Sequence, residues 1–351
     1  MKNGTFVIDA DAHVLEQETA LRERLPAPFN QRSGLSAGGG AGVDRGLKEN
    51  PKYRELSRRG GRIIDPEVHL ADMDQEGIDV QVLFPTSGLG VNKQREREFT
   101  IALCRAYNEW LVDWTKANPE RLKGVAMVPL HVDTQAAIEE MERATDNGLV
   151  GVVVCAWLRD RNVADKSFWP FYEACARRGV AVTFHGSGQD QLDAVCHFDN
   201  FFFMHAFSHV PQELIACTAV MTSGLLEELP DLKVAFLEAG SGWVPFWMEH
   251  LDEEWEACGA SIHPFHPLKR KPSELLKSGN VYVTCKPDEE SLPYVIQRYG
   301  ADFIIFPSDY PHFDCAFPLA TSLLADREDI TPAEKKKIFS ENPQRLYGFK
   351  V

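Results

Sequence analysis

A (β/α)8 barrel is the fold class this chain predicts, on three observations. Short apolar runs recur eight times, helical segments separate them, and 351 residues exceed the roughly 250 that such a barrel needs. The runs are Thr5–Ala10, Asp79–Phe84, Lys123–Val128, Val150–Ala156, Val180–Phe184, Lys233–Leu237, Val281–Thr284 and Asp302–Phe306. Most are unbroken, the pattern of a strand buried on both faces. Helical periodicity covers Phe99–Lys116, Thr134–Asn147 and Phe168–Arg178 between them. A doubly wound open sheet competes with the barrel on this pattern alone.

The first run leads into Asp11-Ala12-His13, within FVIDADAHV. Strand alternation points Asp11 and His13 to the same side, so a carboxylate and an imidazole can bind one divalent cation from a rigid support. Between the first and second strands an insertion of about 14–64 carries a glycine run, Gly38-Gly39-Gly40-Ala41-Gly42, and reads as a loop over the barrel mouth. Arg45, Lys48, Arg59 and Arg62 on it read as solvated charges, with an anion-binding role as the alternative. A second insertion, about 189–211, holds Phe201-Phe202-Phe203, His205 and His209 and reads as a loop; a third, about 259–272, holds His263 and His266, read as surface residues. Trp243, Trp247 and Trp255 fall at helical spacing and read as helix packing. Thr331 before Pro332 and Glu334 marks a capped helix over Thr331–Ser340. The whole chain reads as one domain with these insertions at its mouth.

Composition narrows the function. The net charge of −15 argues against nucleic acid or an anionic membrane as the main partner, though not against a small anionic substrate. Eight scattered cysteines without a C-x-x-C spacing fit neither a disulfide framework nor a cysteine zinc site. No signal peptide and no apolar stretch of membrane-spanning length is read, so the expected location is the cytoplasm.

Barrel active sites lie at the C-terminal ends of the strands. There the first strand offers Asp11 and His13, the fifth His185 (VTFHGSG), the sixth Glu238 (VAFLEAGSGW), and the eighth Asp309 (IIFPSDYPH), with His312 just beyond. Burying several unpaired ionisable groups in one cavity costs several kcal/mol, which a cation offsets. Oxygen and nitrogen donors of this kind suit Zn, Mn, Fe or Co. His209 is a further ligand or catalytic candidate.

These motifs together resemble the amidohydrolase superfamily, in its branch related to aminocarboxymuconate semialdehyde decarboxylase. The resemblance rests on VIDADAH, HLADMDQEGIDVQVLFPT, VTFHGSG, LPDLKVAFLEAGSGWVPFW, PSDYPH and the closing ENPQRLYGF, and it favours the barrel over the open sheet. It implies a metal held by Asp11, His13, His185 and Asp309, used for hydrolysis or non-oxidative decarboxylation of a small carboxylated or carbonyl-bearing molecule, and a tendency to form homodimers. In two places the chain departs from the family. The first strand reads Asp-x-His where many relatives have His-x-His or Glu-x-His. The sixth ends in Glu238, where the decarboxylases carry a proton-transferring histidine. Glu238 is then either a replacement acid/base or a metal ligand. As a ligand, with His312 and His209, it completes a set for two ions, and the alternative reading is a dinuclear nonheme iron monooxygenase on the same barrel. A catalytically silent binding protein is the third reading.

Overall fold

The computed structural model describes residues 4–32, 64–186, 201–258 and 268–350. Eight strands lie in chain order in one sheet, each pairing in parallel with the next. They are β1 Ile8–Val14, β2 Val80–Pro85, β3 Leu122–Met127, β4 Gly151–Cys155, β5 Ala181–His185, β6 Val234–Phe236, β7 Val281–Thr284 and β8 Ile304–Ile305. The longer helices are numbered for the strand each follows: α1 Pro66–Glu76, α2 Arg97–Thr115, α3 Thr134–Asp146, α4 Trp169–Arg178, α5 Phe201–Thr222, α6 Trp243–Cys258, α7 Leu292–Tyr299 and α8 Ala320–Ala325. This is the expected (β/α)8 barrel.

Local chemistry sets the element boundaries. The Asp65 side chain accepts from Glu67 N at 3.1 Å, Pro66 takes the first turn of α1, and Gly77 closes it at φ 80°, a left-handed value that only glycine adopts at no cost. Asp133 caps α3 through Ala136 N at 2.7 Å. Near the C-terminus Thr331 and Glu334 form a reciprocal capping box, as the sequence predicts. The strands bury both faces: every residue of β2, β4 and β5 is inaccessible to solvent or nearly so. Phe184 and Phe236 stack at 5.5 Å between β5 and β6.

The ring closes between β8 and β1 by isolated contacts. Ala10 N donates to Phe306 O at 2.8 Å, Asp309 N to Asp11 O at 3.0 Å, and His13 N to Tyr310 O at 2.7 Å. From the C-terminal helix Asn342–Tyr347, the buried Tyr347 hydroxyl donates to Ala10 O at 2.8 Å.

Three boundaries differ from the sequence reading. β1 runs on through Val14, because His13 and Val14 pair with Phe84 and Pro85 of β2, so Asp11 and His13 lie inside the strand. β8 keeps only two residues, and Asp309 sits on the turn beyond it. His205 and His209, read as loop residues, lie on α5, which continues through Pro211. The glycine run, Arg45, Lys48, Arg59, Arg62, His263 and His266 lie outside the described residues.

Candidate metal centre

Asp11 and His13 occupy alternate positions of β1 and face the barrel interior, fully buried. His13 Nδ1 lies 2.9 Å from the Pro85 carbonyl, and His185 Nδ1 lies 2.8 Å from the Gly186 carbonyl. A carbonyl only accepts, so each Nδ1 carries the proton and each Nε2 is left with a free lone pair. Both lone pairs are directed into one cluster. His13 Nε2 is 3.7 Å from Asp11 Oδ1 and 3.5 Å from Asp309 Oδ1; His185 Nε2 is 3.8 Å from Asp11 Oδ1 and 3.1 Å from Glu238 Oε2.

The opposite side of the cluster is carried on turns. Glu238 and Asp309 both have φ of 57°, and they are the two non-glycine residues in the left-handed region among those described. Such conformations cost of order 1–3 kcal/mol and persist only where the surroundings enforce them. Here Glu238 N donates to Thr284 Oγ1 at 2.9 Å and Asp309 N to Asp11 O at 3.0 Å. His312 Nδ1 meets Asp309 Oδ1 at 2.6 Å, its Nε2 meets Thr86 Oγ1 at 3.2 Å, and its ring stacks on His13 at 4.0 Å. From α5, His209 Nδ1 reaches Glu238 Oε2 at 3.3 Å. It passes over Gly186, where an added Cβ would lie 2.5 Å from His209 Nδ1, so the close approach requires glycine. All seven residues singled out in the sequence meet here.

Burial pushes the carboxyls of Asp11, Glu238 and Asp309 above the usual range, with Asp309 adding repulsion at Asp11 and Glu238. Burial likewise holds His185 down to about 4 and lowers His13 and His209, with neighbouring imidazoles contributing. His312 is the exception: burial opposes its charge, but Asp309 beside it outweighs that and raises its pKa. Ungated by a cation, the cluster is thus driven toward neutrality.

Both oxygens of Asp11, Nε2 of His13 and His185, Nδ1 of His209 and Oε2 of Glu238 are buried without a hydrogen-bond partner. Orphaned buried acceptors of this kind call for an explanation, and a divalent cation among them supplies one. Three sets place donor atoms within 4.8 Å of one another: Asp11, His13 and His185; His185, His209 and Glu238; and His13, Glu238, Asp309 and His312. The donors fit the group that the sequence implies. A cavity of about 400 Å3 opens above them, in the range of small-ligand sites.

The sequence reading missed the support beneath the cluster. Asp9 lies two residues before Asp11 on β1, across a register shift between Asp9 and Ala12. Its carboxyl accepts from Ser308 N at 2.8 Å, Ser308 Oγ at 2.5 Å and Gln81 Nε2 at 3.1 Å. Tyr310 N donates to Ser308 Oγ at 3.0 Å, so Asp9 clamps both flanks of the Asp309 turn. Burial lifts its pKa to about 7, against the opposing effect of these hydrogen bonds. The D-x-D-x-H spacing does not reveal this role, because the register shift between Asp9 and Ala12 breaks the alternation of β1 and turns Asp9 toward Gln81 and Ser308.

Comparison with known proteins places this geometry among relatives. The family model for amidohydrolases matches residues 8–349. Among curated proteins, γ-resorcylate decarboxylase of Polaromonas sp. is 27% identical over 312 residues, covering 86% of this chain and 92% of that protein. The 2-amino-3-carboxymuconate-6-semialdehyde decarboxylase of Dictyostelium discoideum is 24% identical over 294 residues, covering 81% and 77%. Among solved structures, 5-carboxyvanillate decarboxylase of Novosphingobium aromaticivorans, with bound manganese and a nitrobenzoic acid ligand, superposes with a TM-score of 0.76 at 20% identity over 99% of this chain and 98% of that one. Dihydroxybenzoic acid decarboxylase of Polaromonas sp., with manganese and 2-nitroresorcinol, gives 0.75 at 22% over 98% and 97%. The oxygenase alternative finds no support in these relatives.

Proposed function

The chain belongs to the amidohydrolase family and is an enzyme of it, and from that premise we propose that it removes CO2 without oxidation from a small aromatic carboxylate. The observation that carries this reading is the buried set of orphaned donors at the floor of a ligand-sized cavity, with a carboxyl group at position 238. In this reading Asp11, His13, His185 and Asp309 hold one divalent ion. Manganese suits their mixed oxygen and nitrogen donors and is the ion in the two solved neighbours. When bound, it supplies positive charge that neutralises the cluster and favours an anionic substrate at the floor.

The remaining chemistry falls to the chain's own residues. Glu238 delivers its proton to the ring carbon that bears the carboxylate. The bond from that carbon to the carboxylate then breaks, its electron pair returns to the ring, and CO2 leaves. The Glu238 carboxylate recovers its proton from water. His209, 3.3 Å from Glu238 Oε2, orients that carboxyl. The walls of the cavity above the cluster come from α5 and the β7 and β8 turns.

Metal analysis of purified protein, with CO2 release from 2,6-dihydroxybenzoate and related hydroxybenzoates, tests the reading. About one Mn per chain and CO2 formation are expected. Glu238→Gln should keep the metal and lose turnover by about 10²–10⁴-fold. Loss of metal in that variant would make Glu238 a ligand and overturn its proton-transfer role. About two Fe per chain, or O2 consumption with substrate, would overturn the reaction.

A further inference from the structure

The cavity is lined by five carboxylates, Asp11, Glu238, Asp309, Asp288 and Asp314, and by a single lysine, Lys286, with no arginine among the described lining residues. Asp11, Glu238 and Asp309 belong to the floor; above it an anionic substrate meets Asp288 and Asp314, with Lys286 the one lysine or arginine among the described lining residues. Lys286 follows the end of β7 and is exposed at the rim. Its position is fixed more closely than that of an ordinary surface lysine. Its backbone N donates to Glu289 Oε2 at 3.1 Å. The same carboxylate accepts from Ser241 N at 2.9 Å and Ser241 Oγ at 3.0 Å, which ties the β7 turn to the β6 turn that carries Glu238. A Cβ built on Gly240, two residues after Glu238, would lie 3.6 Å from Lys286 Cγ, so the lysine stem runs along the Glu238 turn. Its charge is felt at His209, across the cavity mouth. Among the described residues the Lys286 ammonium has neither an ion pair nor a hydrogen bond. By contrast, Asp314 at the same rim faces His205 at 3.7 Å.

We propose that Lys286 is a substrate-recognition residue that binds a second acidic group, so that the preferred substrate is an aromatic dianion with one carboxylate at the floor and the other anionic group at the rim. This rests on the aromatic carboxylate reading given above. An ammonium ion is a flexible point charge that suits a carboxylate or ionised phenol without demanding bidentate geometry. A monoanion leaves it unused.

Benzoate and isophthalate are the probes, titrated by calorimetry into manganese-loaded protein near neutral pH. Isophthalate is expected to bind about tenfold more tightly than benzoate, the worth of one charge-assisted contact at a partly wet site. Lys286→Met should bring the two within about twofold. Lys286→Arg should keep most of the preference. Lys336→Met removes the same charge from a distant helix and should match the wild type. Equal binding of the two probes by wild type, a preference that survives Lys286→Met, or binding of neither probe overturns the proposal. If the protein takes up no divalent metal, the decarboxylase reading fails by itself, and the same ratio measured on metal-free protein still decides the role of Lys286.

Discussion

The two halves of the cluster are built by opposite means. Asp11, His13 and His185 sit in regular strand geometry, wholly buried, with each imidazole fixed by a backbone carbonyl. Glu238, Asp309 and His312 sit on turns, two of them at φ 57°, and their side chains keep 12–18% of their surface toward the cavity. The strand half cannot move without disturbing the barrel. The turn half is held in an unfavourable backbone conformation by a few hydrogen bonds, at the boundary with the space a substrate enters. In the proposed reading the rigid side supplies three of the four metal ligands, and the strained side supplies Asp309 and the proton-transferring Glu238. The contrast also explains why rigid scaffolds carry reactive groups on their loops.

The most severe way to break this contrast is to remove a strand-borne ligand. His185→Ala should lower manganese affinity by more than about 100-fold, beyond the loss typical of outer partners, and abolish turnover with it. Metal content by elemental analysis checks this; retained metal would shift the binding role to the turn side. Asp9→Ala sharpens the comparison by loosening the Asp309 turn while leaving every cluster residue in place. It strands the donors of Ser308 and Gln81, at a cost of about 1–3 kcal/mol each in stability, and should reduce manganese affinity by roughly 10–100-fold. Denaturant unfolding and metal titration read the two effects separately. Gly186→Ala acts between the halves: the Gly186 carbonyl faces His185 Nδ1, and its Cα lies under His209 of α5, which reaches Glu238. The added methyl group would meet the His209 ring, so turnover should fall by about 10–100-fold with metal content unchanged. A histidine in neither half gives the smallest effect. His131 Nε2 lies 2.9 Å from Gln94 O, and burial lowers its pKa to about 4. Unfolded, it titrates near 6.5. Below about pH 6.5 the unfolded chain takes the proton first, so stability falls as pH drops from there toward 4. Over that window the Tm of His131→Gln should fall less steeply than that of wild type, by on the order of a few °C.

Much of this centre was legible in the sequence because it sits where the chain changes pattern. His185 ends an apolar strand, Glu238 and Asp309 follow others, and alternation alone joins Asp11 to His13. The support was less visible. Asp9 and Ser308 are separated by 299 positions, and neither type announces a partner at that distance. Pro211 hid the helical state of His205 and His209. Proline usually ends a helix, since it lacks an N–H and crowds the preceding turn, yet α5 continues through it. Gly186 looked like part of a Gly-Ser-Gly loop until the His209 ring was seen against it. No sequence motif marks Lys286; its packing along Gly240 sets it apart.

The seam between β1 and β8 has an implication for the order of events in the cell. Asp11 and His13 are synthesised well before Asp309, its turn and the Tyr347 latch on Ala10. Until that turn is made, a nascent chain holds only part of the donor cluster. The complete donor set forms only after the Asp309 turn and the helix Asn342–Tyr347 have closed the ring.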